Sequence, residues 1–201
     1  MGTSKQFEEA LSQFDKANAQ DPNLELVEDQ SQPAALLYGQ RMSRCLERFA
    51  PGSSEALQLA VRAQHIQRWA IPRATYPEGI KGYNQWRRAM AVFHAEKAGE
   101  ILQGLGYEQV QIARVQKLLR KEGRTKDPEA QTLEDVACLV FLEYYFAPFS
   151  SKYDDEKLVD IVQKTWRKMS PAAHQAALKL TLPGREQGIV VKALGGGGGA
   201  E

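Results

Sequence analysis

YNQWRRAMAVFHAEKAGEILQGLG, residues 83–106, is the stretch that decides the fold. Met90, His94, Ala98 and Ile101 recur three or four residues apart, a spacing that puts them on one face of an α-helix. Gly106 supplies the stop, so a long helix is expected over about residues 83–105. One member of that apolar stripe, His94, is ionisable.

The same punctuation divides the rest of the chain. Helices are expected at about residues 4–18, 33–49, 55–69, 109–122 and 127–146, and Asp154 caps another whose order, acidic DDEK to basic KTWRKM, suits the helix dipole. Ser170-Pro171 opens the next, and a short last helix ends near residue 194. Residues 21–32 read as a polar loop, and with no Asn-Gly hairpin signal no strand is expected. The fold class is therefore all-α: a single helical-bundle domain over residues 1–194, followed by a flexible Gly-rich tail at 195–201.

Hydrophobic residues make up 43% of the 201, enough for a sizeable core, and charged residues 25%. A net charge of +1 argues against a general nucleic-acid coat, although it leaves room for a local basic cleft. Cys45 and Cys138 sit at helical spacing from apolar neighbours, with no metal-binding spacing, and read as buried free thiols. The N-terminal residues carry no apolar run, and no stretch is long enough to cross a bilayer, so a cytoplasmic setting without a membrane partner is expected.

Ionisable residues inside apolar stripes are the candidates for chemistry. His65 lies four after Val61, Asp135 four before Leu139, Glu122 four after Leu118, and Tyr38 four before Met42. A buried carboxylate without a partner is costly, so Asp135 and Glu122 need partners if they point inward. A single histidine of this kind is more often a satisfied core residue. Several converging with carboxylates would suit Mn, Fe or Zn.

Basic residues cluster too. Arg68 and Arg73 bracket Trp69, Trp86-Arg87-Arg88 opens the long helix, and Arg120-Lys121 closes the next. Helix dipoles explain the cations at C-terminal ends, but not Arg87 and Arg88 near a start. Arginine forks suit phosphate. No GxSxG, HExxH, P-loop or GxGxxG sequence occurs.

Over residues 33–146 the helix order and inward residues resemble the HD-type metal phosphohydrolases. FHAEKAGEILQGLGY is similar to that family's His-led helix, LLRKEG to the helix after it, and EDVACLVFL to its last ligand helix. The resemblance implies one divalent metal (Mn, Fe or Zn) on His65, His94 and Asp135. Glu122 would act on water, Arg68, Arg73, Arg87 and Lys121 would hold phosphate, and Tyr38 and Trp69 would complete the pocket. Two departures stand out: Tyr38 occupies a ligand-histidine position, and Ile66 that of the doublet aspartate.

LYGQRM, QHIQRW, LLRKEG, DPEAQTLEDVACLVFLE and DDEKLVDIVQKTWRKMSPAAH also resemble a family described only as a domain of unknown function. Some of its members have names linking them to glutamyl-tRNA synthetase or the glutamyl-tRNA amidotransferase. Two functions remain open: metal-dependent hydrolysis of a phosphorylated metabolite or nucleotide, or a non-catalytic helical module for an anionic ligand or protein partner.

Overall fold

The Ser4 side chain accepts the Phe7 N–H at 3.1 Å and so caps α1 (Lys5–Asn18), which buries Phe7, Ala10 and Phe14 on one face. The computed structural model describes residues 4–123 and 126–195; residues 196–201, most of the expected tail, lie outside the described residues. The fold is all-α as expected, with one small exception. Leu24–Val27 (β1) and Gln30–Pro33 (β2) pair antiparallel inside the segment read as a loop. The turn residues Glu28 and Asp29 both have positive φ, 48° and 62°, the requirement of a two-residue I′-type connection. Asn-Gly meets it most easily, which is why the sequence signal was missing.

The chain forms two compact units, the first ending at Leu133 and the second beginning at Glu134. In the first, α2 (Ala34–Phe49) follows the hairpin directly. Next comes α3 (Glu55–Ala63), with Leu59, Ala60, Val61 and Ala63 fully buried where α1, α2 and α5 (Gln109–Leu119) pack against it. The long helix α4 (Gly79–Gly104) lies along α5 and begins four residues before its expected start. Gly82 is needed in its first turn: a Cβ there would stand 1.9 Å from the Pro77 carbonyl oxygen. The loop from Pro72 to Pro77 thereby lies close against α4.

Two helices of the first unit end earlier than expected. α3 stops at Ala63 rather than near residue 69, and α5 stops at Leu119 rather than 122. In both places left-handed residues, Gln67 (φ 48°) and Lys121 (φ 58°), turn the chain away. The Gln67 N–H is accepted by Asn18 Oδ1 at 2.9 Å, a tertiary bond that replaces a helical one.

α6 (Pro128–Val140) crosses the unit boundary. Arg114 clasps its N-terminal end, its guanidinium bonding both Asp127 and Glu129. Within the second unit the helix widens into a π-type turn over Phe141–Tyr145 and runs on through α7 (Phe146–Ser150), past the end expected near residue 146. Pro148 lacks the N–H that would bond residue 144, and the ladder changes register just before it. Asp154 caps α8 (Asp155–Trp166) and Ser170 caps α9 (Pro171–Ala177), both as expected, and α10 (Gly184–Gly195) packs on α8. Cys45 and Cys138 are buried, and neither is in a disulfide. Among the described residues no helix is long and apolar enough to cross a membrane.

Candidate functional site

His65 lies not on a helix but in the turn that follows α3, and this turn is tethered from three sides. Asn18 holds the Gln67 N–H, and the Tyr38 hydroxyl donates to Gln64 Oε1 at 3.2 Å. From α4, His94 Nδ1 lies 2.7 Å from the Ile66 carbonyl oxygen. A carbonyl only accepts, so that nitrogen carries the proton. His94 is 3% exposed, and its Nε2 is buried with no hydrogen-bond partner among the described residues.

The rings of Tyr38, His65 and His94 form a row. Tyr38 stacks on His65 with centroids 4.2 Å apart, and His65 is 5.8 Å from His94. Burial pushes His94 down to about 4, outweighing the opposing effect of its bond to Ile66. Burial also holds His65 well below the usual histidine value, helped by the positive charges of Arg68, Lys121 and Arg87. Both imidazoles are therefore neutral at pH 7, each with one N–H and one lone pair.

These histidines line a cavity of about 390 Å³ in the first unit. Arg68, Arg87, Arg88, Arg120 and Lys121 line it as well, while among the described residues no carboxylate does. The Arg68 guanidinium lies 4.6 Å above the Trp86 ring, and Trp86 Nε1 donates to the Ile71 carbonyl at 2.9 Å, so loop and helix together aim the arginine. Arg87, one residue further along α4, sits 5.8 Å from the Tyr83 ring. A second cavity, about 460 Å³, contains none of the expected residues, and its Arg62 is tied to Asp15 at 2.6 and 2.7 Å.

Of the expected site residues, His65, His94, Arg68, Arg87 and Lys121 thus meet in one cavity, with Tyr38 directly behind His65. Arg73 does not line it. Its guanidinium donates to the carbonyls of Tyr76 and Pro77 at 2.9 Å and of Gly79 at 3.3 Å, stapling the loop. Trp69, half-buried in the short 3₁₀ turn Arg68–Ala70, is not in the lining either. Glu122 is exposed and accepts from Arg120 Nε at 2.6 Å. Asp135 belongs to the second unit, where its Oδ1 accepts the Ser170 N–H at 2.8 Å.

Sequence reasoning passed over Gln64 and Asn84, both in the lining. Gln64 caps a helix that was expected to continue, and Asn84 stands in a helical turn with no apolar stripe to mark it.

Among the described residues no group of three or more His, Cys, Asp or Glu side chains is arranged to hold a metal ion. Two imidazoles without a carboxylate fall short of the usual three or four protein ligands, and the charges of Arg68, Arg87 and Arg88 would repel a divalent ion. The lining suits an anion better.

A family model described as "Domain of unknown function (DUF4202)" matches residues 8–190. The chain belongs to DUF4202. The match takes in residues of both units, so the cavity and its tethered turn lie inside the DUF4202 region. Comparison with curated proteins and with solved structures gives no match.

Proposed function

We propose that the first unit is a binding module for a phosphate-bearing small molecule, taken up in the cavity beside His65. The observation that carries this reading is the charge of the lining. Arg68, Arg87 and Arg88 face one cavity, no carboxylate lines it, and none of the three has a carboxylate partner among the described residues. Arg68 is half-buried against Trp86, unlike a solvated helix-end charge, and neighbouring cations in a partly enclosed space favour an anion between them. Arginine forks match phosphate oxygens, and neutral imidazoles beside them leave the ligand's own charge to balance the arginines.

Calorimetric titration with inorganic phosphate and a panel of phosphate esters tests the reading. Binding in the micromolar to millimolar range that weakens with added salt is expected. If no phosphate compound binds at millimolar concentration, the cations are surface charge and the reading falls.

The enzyme reading, a metal-dependent phosphohydrolase, has one observation in its favour: the unpartnered Nε2 lone pair of His94 beside a second imidazole. Its test is the metal content of tag-free protein. His174, on α9 of the second unit and absent from the cavity lining, is the control: metal bound by the unaltered chain and by His174→Ala, but lost in His65→Ala, would favour the enzyme reading.

A further inference from the structure

We infer that the ligand of the His65 cavity is the phosphate ester of a sugar or other polyol, rather than a nucleotide. This rests on the phosphate-binding reading above and adds what the rest of the ligand must be. The cations form one part of the lining, and the remaining polar part consists of Gln64, His65, Asn84 and His94, whose Nδ1 is already engaged by Ile66. Gln64, His65 and Asn84 are neutral groups that offer both a donor and an acceptor, and His94 adds a lone pair at Nε2. The Gln64 carboxamide oxygen is engaged by the Tyr38 hydroxyl, which leaves its NH₂ to donate. The neutral His65 ring makes no hydrogen bond among the described residues, while stacking on Tyr38 keeps it in place.

A hydroxyl is the chemical group that such a surface matches, because it donates and accepts at one atom. A nucleobase would require something different. No Phe, Tyr or Trp stands in the lining to stack on a flat ring, and Trp86 and Tyr83 already face arginines. The apolar lining residues, Met90, Ala91 and Leu119, are aliphatic and small in number. A volume of about 390 Å³ lies at the small end of ligand pockets.

The full chain would be titrated calorimetrically with inorganic phosphate, glycerol 3-phosphate, a hexose 6-phosphate and a nucleoside monophosphate in the same buffer. At least one polyol phosphate should bind about tenfold or more tightly than inorganic phosphate and than the nucleotide, the increment of one or two good hydrogen bonds. His65→Phe keeps a ring against Tyr38 and removes both nitrogens. It should bring the ratio of polyol phosphate to inorganic phosphate affinity down to about one; His65→Gln, which restores a donor and an acceptor, should recover part of the preference. Should His65→Phe fail to fold by circular dichroism, the His65→Gln variant and the wild-type ligand ranking decide the matter alone. A nucleotide that binds as tightly as the polyol phosphates overturns the inference and leaves the phosphate-binding reading standing. So does a polyol phosphate no better than inorganic phosphate. Silence from every phosphate compound overturns both.

Discussion

His94 Nδ1 donates to the Ile66 carbonyl across 2.7 Å, joining the middle of the longest helix to the turn that bears His65 and Arg68. The bond turns the histidine's other nitrogen into a buried lone pair and ends any competition from a longer α3. It also ties stability to pH. The folded-state value of about 4 lies below that of an unfolded histidine.

Acid should therefore weaken the fold over a defined range. Between about pH 6.5 and 4 the unfolded chain binds a proton that folded His94 refuses, so stability falls as pH falls, by up to about 1.4 kcal/mol per pH unit. His65, shifted in the same direction, adds to the slope. Urea midpoints measured across this range should show the decline, and His94→Phe should flatten it even though its midpoint at pH 7 is lower. A flat profile for the unaltered protein would refute the buried neutral state.

Two arginines with similar sequence credentials should behave differently. Arg87→Ala removes a charged donor from the cavity and should weaken phosphate binding about ten- to a hundredfold, from roughly 1.5–3 kcal/mol per charged hydrogen bond. Arg87→Lys should recover only part, since it supplies a point charge without the planar fork. Arg73→Ala releases the carbonyls of Tyr76, Pro77 and Gly79, so it should lower thermal stability more than affinity. Titration and melting curves of the three variants check both halves.

Asp135 has a structural assignment that mutation can separate from metal binding. Its Oδ1 holds the N–H of Ser170, the residue that caps α9. Asp135→Ala should cost about 1 kcal/mol or more, from removing the partner of a part-buried N–H, and should lower the melting temperature in the presence of a chelator as much as in its absence. Destabilisation that a chelator abolishes would point to a metal role instead.

The hairpin turn is open to improvement. Glu28 and Asp29 occupy left-handed backbone that Asn and Gly adopt with less strain. Replacing them together by Glu28→Asn and Asp29→Gly should stabilise the first unit by about 0.5–1 kcal/mol, read as a rise in denaturant midpoint, with no change in phosphate affinity.

Local chemistry determined much of this protein directly. The caps at Ser4, Asp154 and Ser170, the apolar stripe through Met90, His94 and Ala98, and the buried thiols of Cys45 and Cys138 follow from nearest neighbours along the chain. A cap or a stripe needs only residues three or four apart, so the all-α fold could be read from the letters. Other features depend on groups distant in sequence. Whether α3 runs on past Ala63 is decided by Asn18 and His94, which take the backbone groups of Gln67 and Ile66 from 49 and 28 residues away. Arg73 and Arg87 look alike until the fold gives one three backbone carbonyls and the other a cavity wall. Periodicity shows which way a side chain faces from its own helix. Only the packing of several elements decides what it meets there, because hydrogen bonds and charges act over a few ångströms of space, whatever the distance along the chain.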